Sequence, residues 1–158
     1  MRKLTATVFA ALCLASVGVA AQPVVTYSKS GARIDDVRDD LKTAIEAKGF
    51  VIDYESHLGQ MLERTGKDVG STKPLYADAR VLQFCSAQLS RKMMEAHRDN
   101  VVFCPYSLVV YAAAEKPDQV FVAYRRPMGS RGGPDSRAAL NEVNALLDGL
   151  AREAVGRK

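Results

Sequence analysis

Ser107-Leu108-Val109-Val110-Tyr111-Ala112, then Lys116-Pro117-Asp118, then Gln119-Val120-Phe121-Val122-Ala123-Tyr124-Arg125: this stretch decides the fold. Two apolar runs rich in β-branched and aromatic residues flank a turn carrying proline and aspartate, which is the pattern of a hairpin. A hairpin joins antiparallel neighbours, whereas a parallel pair needs a long crossover. Leu108 and Val110 face one way and Val109 and Tyr111 the other, so the first arm is apolar on both sides. Such a strand is either central and covered twice, or part of a subunit interface.

Working outward, strands and helices alternate on the N-terminal side. Val24-Val25-Thr26-Tyr27 is a strand-like run, followed by a turn over Ser28 to Gly31. Ile34, Val37, Leu41, Ala44 and Ile45 recur at helical spacing, with Asp35 and Asp36 in the first turn, where the helix dipole favours anions; Gly49 ends that helix. Phe50, Ile52 and Tyr54 alternate with Val51, Asp53 and Glu55, predicting a strand with one buried face and both carboxylates toward solvent. Leu58, Met61 and Leu62 predict a short helix ending at Thr65-Gly66, and Lys67 to Pro74 a loop. Arg80 to Phe84 reads as a strand, and Ser86 as the N-cap of a helix carrying Leu89 and Met93. Past the hairpin and the Met128–Gly133 loop, Pro134-Asp135-Ser136 opens a helix with Leu140, Val143, Leu147, Leu150 and Ala154 on one face. The order β-α-β-α-β-α-β-β-α predicts an α+β fold: a compact two-layer domain, its mostly antiparallel sheet of about five strands carrying helices on one face. An open face in so small a domain favours a homodimer.

The chain has 158 residues, which fits one domain and not comfortably two. Its 47% apolar and 25% charged composition excludes general disorder and collagen-like repeats. Arg2 and Lys3, the uncharged run Leu4 to Val19, and Val19-Ala20-Ala21 before Gln22-Pro23 form the three-part pattern of a secretory signal. Residues 1–21 are therefore expected to be a signal peptide and 22–158 the single domain, periplasmic or secreted, with no membrane anchor after cleavage. Without Arg2 and Lys3, the 22 basic side chains fall to 20 against 18 acidic ones. That near-balance points to no nucleic-acid partner. Cys85 and Cys104 are left as the two cysteines of the mature chain, in an oxidising compartment.

Several short runs carry a family resemblance. They are Ser56-His57-Leu58-Gly59-Gln60-Met61-Leu62-Glu63-Arg64-Thr65-Gly66, Phe84-Cys85-Ser86-Ala87, Met93-Met94-Glu95-Ala96, Phe103-Cys104-Pro105-Tyr106 and Val122-Ala123-Tyr124-Arg125-Arg126-Pro127. Together they resemble the bacterial family catalogued as domain of unknown function 302, in its secreted proteobacterial branch, over nearly the whole mature chain. The resemblance implies a compact α+β domain that tends to pair into dimers, and it implies no settled activity.

Cys85 ends a strand and Cys104 begins the strand after the intervening helix, so the unit can bring the two together. A structural disulfide there is worth about 3 kcal/mol in the loop-entropy model. The other reading of the pair is redox-active or metal-binding, although no C-x-x-C is present. His57 and His97 complete a set of two cysteines and two histidines, enough in number for a tetrahedral site but in no zinc-motif spacing; the simpler reading makes both surface or helix-capping residues. His57, Met61, Met93 and Met94, with the cysteines, are of the types that ligate haem iron, though methionines at helical spacing also fill cores.

Gly66 to Lys73 has the wrong order for a phosphate loop, yet its two lysines and two hydroxyls suit an anion. Arg125, Arg126 and Arg131 flank a Gly/Pro loop, either solvated or receiving an anion or partner. No catalytic constellation is visible: no Ser-His-Asp order, paired-carboxylate signature or metalloprotease motif. The expected function is a secreted binding or accessory protein with His57, Met61, Cys85, Met93 and Tyr106 around a ligand pocket between sheet and helices. The alternative is a redox, haem- or transition-metal-binding protein using Cys85, Cys104, His57 and the methionines.

Overall fold

A computed structural model describes residues 23–129 and 131–157; the signal peptide read over residues 1–21 lies outside them. Five strands form one antiparallel sheet in the order β1 (Val24–Ser30), β5 (Lys116–Arg125), β4 (Tyr106–Ala113), β3 (Tyr76–Phe84), β2 (Ile52–Ser56). The hairpin arms are β4 and β5, and β4 is the central strand. The helices are α1 (Ile34–Ala47), α2 (Leu58–Thr65), α3 (Ala87–Ala96) and α4 (Gly133–Ala154), with 3₁₀ turns over Lys67–Val69 and Arg98–Phe103. The α+β class and the element order are those the sequence predicts.

The helical stripes land as their spacing requires. Val37, Leu41 and Ile45 of α1 and Val143, Leu147 and Leu150 of α4 are buried against Leu82, Leu108, Val110 and Val122 of the sheet. Ser86 caps α3, its hydroxyl accepting from the Leu89 N–H at 3.3 Å. Asn100, a buried side-chain amide, donates from Nδ2 to the Met93 carbonyl and to Ser136 Oγ, each at 2.8 Å, tying the Arg98–Phe103 turn to the end of α3 and the start of α4.

Four details depart from the sequence reading. Ser28 to Ser30 are not a turn but continue β1, because each finds a partner on β5; the chain turns at Gly31, where φ is +66°. Lys116-Pro117-Asp118 is not the hairpin turn either, since β5 starts at Lys116. Ala112 pairs with Val120 but Ala113 with Lys116, so Pro117 falls in a bulge that asks no N–H of it. Strand β3 begins at Tyr76, well before Arg80, because it pairs with β4 as far as Ala113. In β2 a register shift between Ile52 and Tyr54 breaks the alternation. Tyr54 is therefore exposed, and Glu55, expected in solvent, is half-buried beside Arg80 and Arg38.

Helices α1, α3 and α4 pack on one face of the sheet, whereas α2 runs along the β3 edge with Gly59 against the Asp78-Ala79 backbone. The other face keeps Val81, Val109, Tyr111 and Phe121 half-exposed. A row of rings crosses it, Tyr111 stacked on Phe121 at 5.1 Å and meeting Tyr76 edge-on at 5.8 Å.

Candidate ligand-binding site

The hairpin comes apart at one end. Its ladder runs up to Leu108 paired with Tyr124, and Pro105, Tyr106 and Ser107 on one arm and Arg125, Arg126 and Pro127 on the other lie beyond that pair. Proline at 105 and 127 removes two ladder donors, while the Arg126 N–H turns to the Pro23 carbonyl at 2.9 Å. Between the separated arms lies a pocket of about 350 Å³, within the size range of small-molecule sites. Its floor is Val143 and Leu147 of α4, its walls include Tyr106, Tyr124, Val109 and Ala123, and Val24, Val102 and Phe103 stand at its rim. Val102 is 75% exposed, an apolar side chain at an open mouth.

The polar groups around this pocket are mostly engaged on its helix side. The Tyr106 hydroxyl shares a hydrogen with Ser90 Oγ at 3.1 Å. Burial raises the Tyr106 pKa, the Ser90 bond opposing it. The Tyr124 hydroxyl donates toward Asn144 and Asp148, at 3.2 Å each. Burial, then the Asp148 charge, holds its phenol protonated far above the ordinary tyrosine range, against the opposing pull of the Arg126 charge. Asp148 also accepts from Tyr27 and Arg152. Burial alone would raise its carboxyl, but the bonds from Tyr27, Arg152 and Tyr124 lower it below its usual value.

Arg126 is the exception. It is half-buried, and its Nε is out of contact with solvent and has no hydrogen-bond partner among the described residues. Two other buried atoms share that condition, Arg38 Nε and Glu55 Oε1, but they face each other at 3.5 Å as an ion pair. Among the described residues no carboxylate pairs with Arg126, whereas Arg131 is paired with Asp99 at 2.9 Å. Of the three arginines noted in sequence, Arg131 is thus at a salt bridge, and Arg125 and Arg126 both line the pocket, Arg125 exposed and Arg126 half-buried.

The residues proposed from sequence separate into two groups. Cys85, Cys104, Met93 and Tyr106 cluster where α3 meets the sheet, around Ser90, whose Oγ lies 3.5 Å from Cys104 Sγ. Cys85 and Cys104 form a disulfide with Cα atoms 6.5 Å apart. Met93 is fully buried core. Only Tyr106 of this group lines the pocket. His57 and Met61 lie beyond the other end of β2, exposed, in and before α2. His97 is a capping residue at both junctions: its backbone N–H donates to the Met93 carbonyl at the end of α3, and its Nδ1 accepts the Asp99 N–H at 3.3 Å and starts the next turn.

A haem or metal reading loses its ligands in this arrangement. The two sulfurs are bonded to each other, Met93 is enclosed, and the histidines do not converge on them; among the described residues no group of three or more His, Cys, Asp or Glu is placed to hold an ion. A second hollow, about 420 Å³, lies beneath the Lys67–Tyr76 loop against α2. Lys67, Ser71, Thr72 and Lys73 do line it, but they are all solvent-exposed. Among the described residues no helix is long and apolar enough to cross a membrane.

Fold and site together define a small two-layer α+β domain with a disulfide-tied helix and a pocket at the open end of its central hairpin. The chain belongs to the family described as domain of unknown function DUF302, which it matches over residues 25–154. Among solved structures it resembles an uncharacterised conserved DUF302 protein from Bacillus stearothermophilus, with a TM-score of 0.70 and 14% identity over 85% of this chain and 99% of that one. At that identity the likeness is one of fold. No curated protein matches the chain.

Val102, Val143 and Leu147 were not legible as site residues in the sequence; Arg126 was noted there only with Arg125 and Arg131, as part of a loop either solvated or receiving an anion or partner. The signal was the pair of arginines between Tyr124 and Pro127, at the end of an apolar strand.

Proposed function

We propose that this protein is a non-enzymatic binding protein of the periplasm or extracellular space, taking a small, mainly apolar molecule between the separated ends of β4 and β5. The observation that carries this reading is the pocket itself: about 350 Å³, walled by Tyr106, Val109 and Ala123 and floored by α4. The leader pattern over residues 1–21 and the disulfide suit an oxidising compartment and the family's secreted proteobacterial branch. The half-exposed aromatic and aliphatic face formed by Val81, Val109, Tyr111 and Phe121 suits pairing with a second copy.

Isothermal titration with eight-carbon aliphatic compounds tests the binding reading. Saturable binding at one site per chain is expected, lost in Ala123→Phe, which fills the pocket; circular dichroism checks that variant's fold. Binding of none of the compounds contradicts it. Light scattering tests the pairing: a dimer mass is expected, and a monomer mass at high micromolar concentration contradicts it. The intact mass of protein recovered after export is expected to correspond to a chain starting at Gln22.

A further inference from the structure

We infer that the ligand of this pocket carries a negative charge at one end, and that Arg126 receives it; the inference rests on the binding reading above. The ligand class is a medium-chain carboxylate. A guanidinium is charged at any pH the protein meets. Here that charge stands half-buried in a pocket also lined by Tyr106, Pro127, Val143, Leu147 and the exposed Arg125, with no carboxylate paired to it and its Nε lacking any acceptor among the described residues. The two neighbouring phenols are otherwise occupied: Tyr106 with Ser90, Tyr124 with Asn144 and Asp148.

An arginine in an apolar wall is electrostatically incomplete, and a carboxylate matches its planar fork with two parallel hydrogen bonds. At about 30 Å³ for each water-sized unit, the pocket accepts roughly a dozen heavy atoms, the size of a carboxylate with a chain of about eight carbons. The tail then lies on Val143 and Leu147, with Val102 and Phe103 closing over it.

The test compares octanoate, 1-octanol and octylammonium by isothermal titration on the wild-type protein and on Arg126→Gln, Arg126→Lys and Arg131→Gln. Octanoate is expected to bind most tightly and octylammonium least. Arg126→Gln is expected to weaken octanoate by about tenfold to a hundredfold and to leave octanol unchanged. Arg126→Lys is expected to restore part of the loss, and Arg131→Gln, at a residue outside the pocket and paired with Asp99, to change little. Octanol bound as tightly as octanoate, or an Arg126→Gln protein that binds octanoate like wild type, overturns the anionic ligand while leaving the pocket reading intact. Failure of all three compounds overturns both.

Discussion

Arg126 holds a charge that the fold leaves uncancelled. A buried donor without an acceptor costs about 1–3 kcal/mol, and the fold carries that cost where a mainly apolar cavity opens to solvent. Asp148 shows the opposite treatment: Tyr27, Tyr124 and Arg152 all donate to it, locking α4 onto β1 and β5. Its carboxyl is lowered in the folded state, so the folded protein binds that proton less readily than the unfolded chain. The resulting stability is complete above the unfolded carboxylate value of about 3.9 and is lost as pH falls through the lower folded value. Asp148→Asn is expected to lower the urea midpoint at neutral pH, and its difference from wild type to shrink as pH falls below the ordinary carboxylate value of about 3.9. A constant difference across that range contradicts the assignment. Tyr124 works at the other limit: its raised pKa stabilises the fold fully below about pH 10 and progressively less as pH rises above that. Tyr124→Phe is therefore expected to flatten the alkaline arm of the same curve.

The unit β3-α3-β4 is closed at the element scale by Cys85–Cys104. The bond spans the cap at Ser86, the buried Ser90–Tyr106 contact and the Asn100 bridge, so it constrains the segment that forms the back of the pocket. The double variant Cys85→Ser/Cys104→Ser is expected to lose about 3 kcal/mol, read as a lower urea midpoint, and to remain folded through the large shared core; an unchanged midpoint contradicts this structural role. Elements of this kind were legible in the sequence wherever one residue type has one local meaning. Ser86 before an apolar helical stripe is a cap, and Gly49, with φ of +79°, stops α1. What was not legible depends on partners far along the chain. Ser28 to Ser30 are strand only because β5 lies beside them, and Glu55 is half-buried only because a register shift turns it toward Arg80.

For the whole molecule, one layer of helices on a five-stranded sheet leaves two unusual surfaces: the half-exposed ring row of Tyr76, Tyr111 and Phe121, and the mouth between the hairpin ends. The alternation of Leu108 and Val110 with Val109 and Tyr111 announced a strand apolar on both sides, and β4 is central with just that pattern. The candidate site was less legible, because it is assembled from four stretches: Val24, Val102–Ser107, Ala123–Pro127 and α4. No spacing rule joins a rim valine to a helix floor, and shared short motifs around His57 and Cys85 drew attention to residues that pack or face solvent elsewhere. The most direct test of the central claim is an amide-resolved NMR titration of the dimeric or monomeric protein with octanoate. Saturating shifts are expected at Val102 to Cys104, Tyr106, Ser107, Ala123 to Arg126 and Val143 to Leu147. Shifts confined to the Lys67–Tyr76 loop, or no saturable shifts at all, would contradict it.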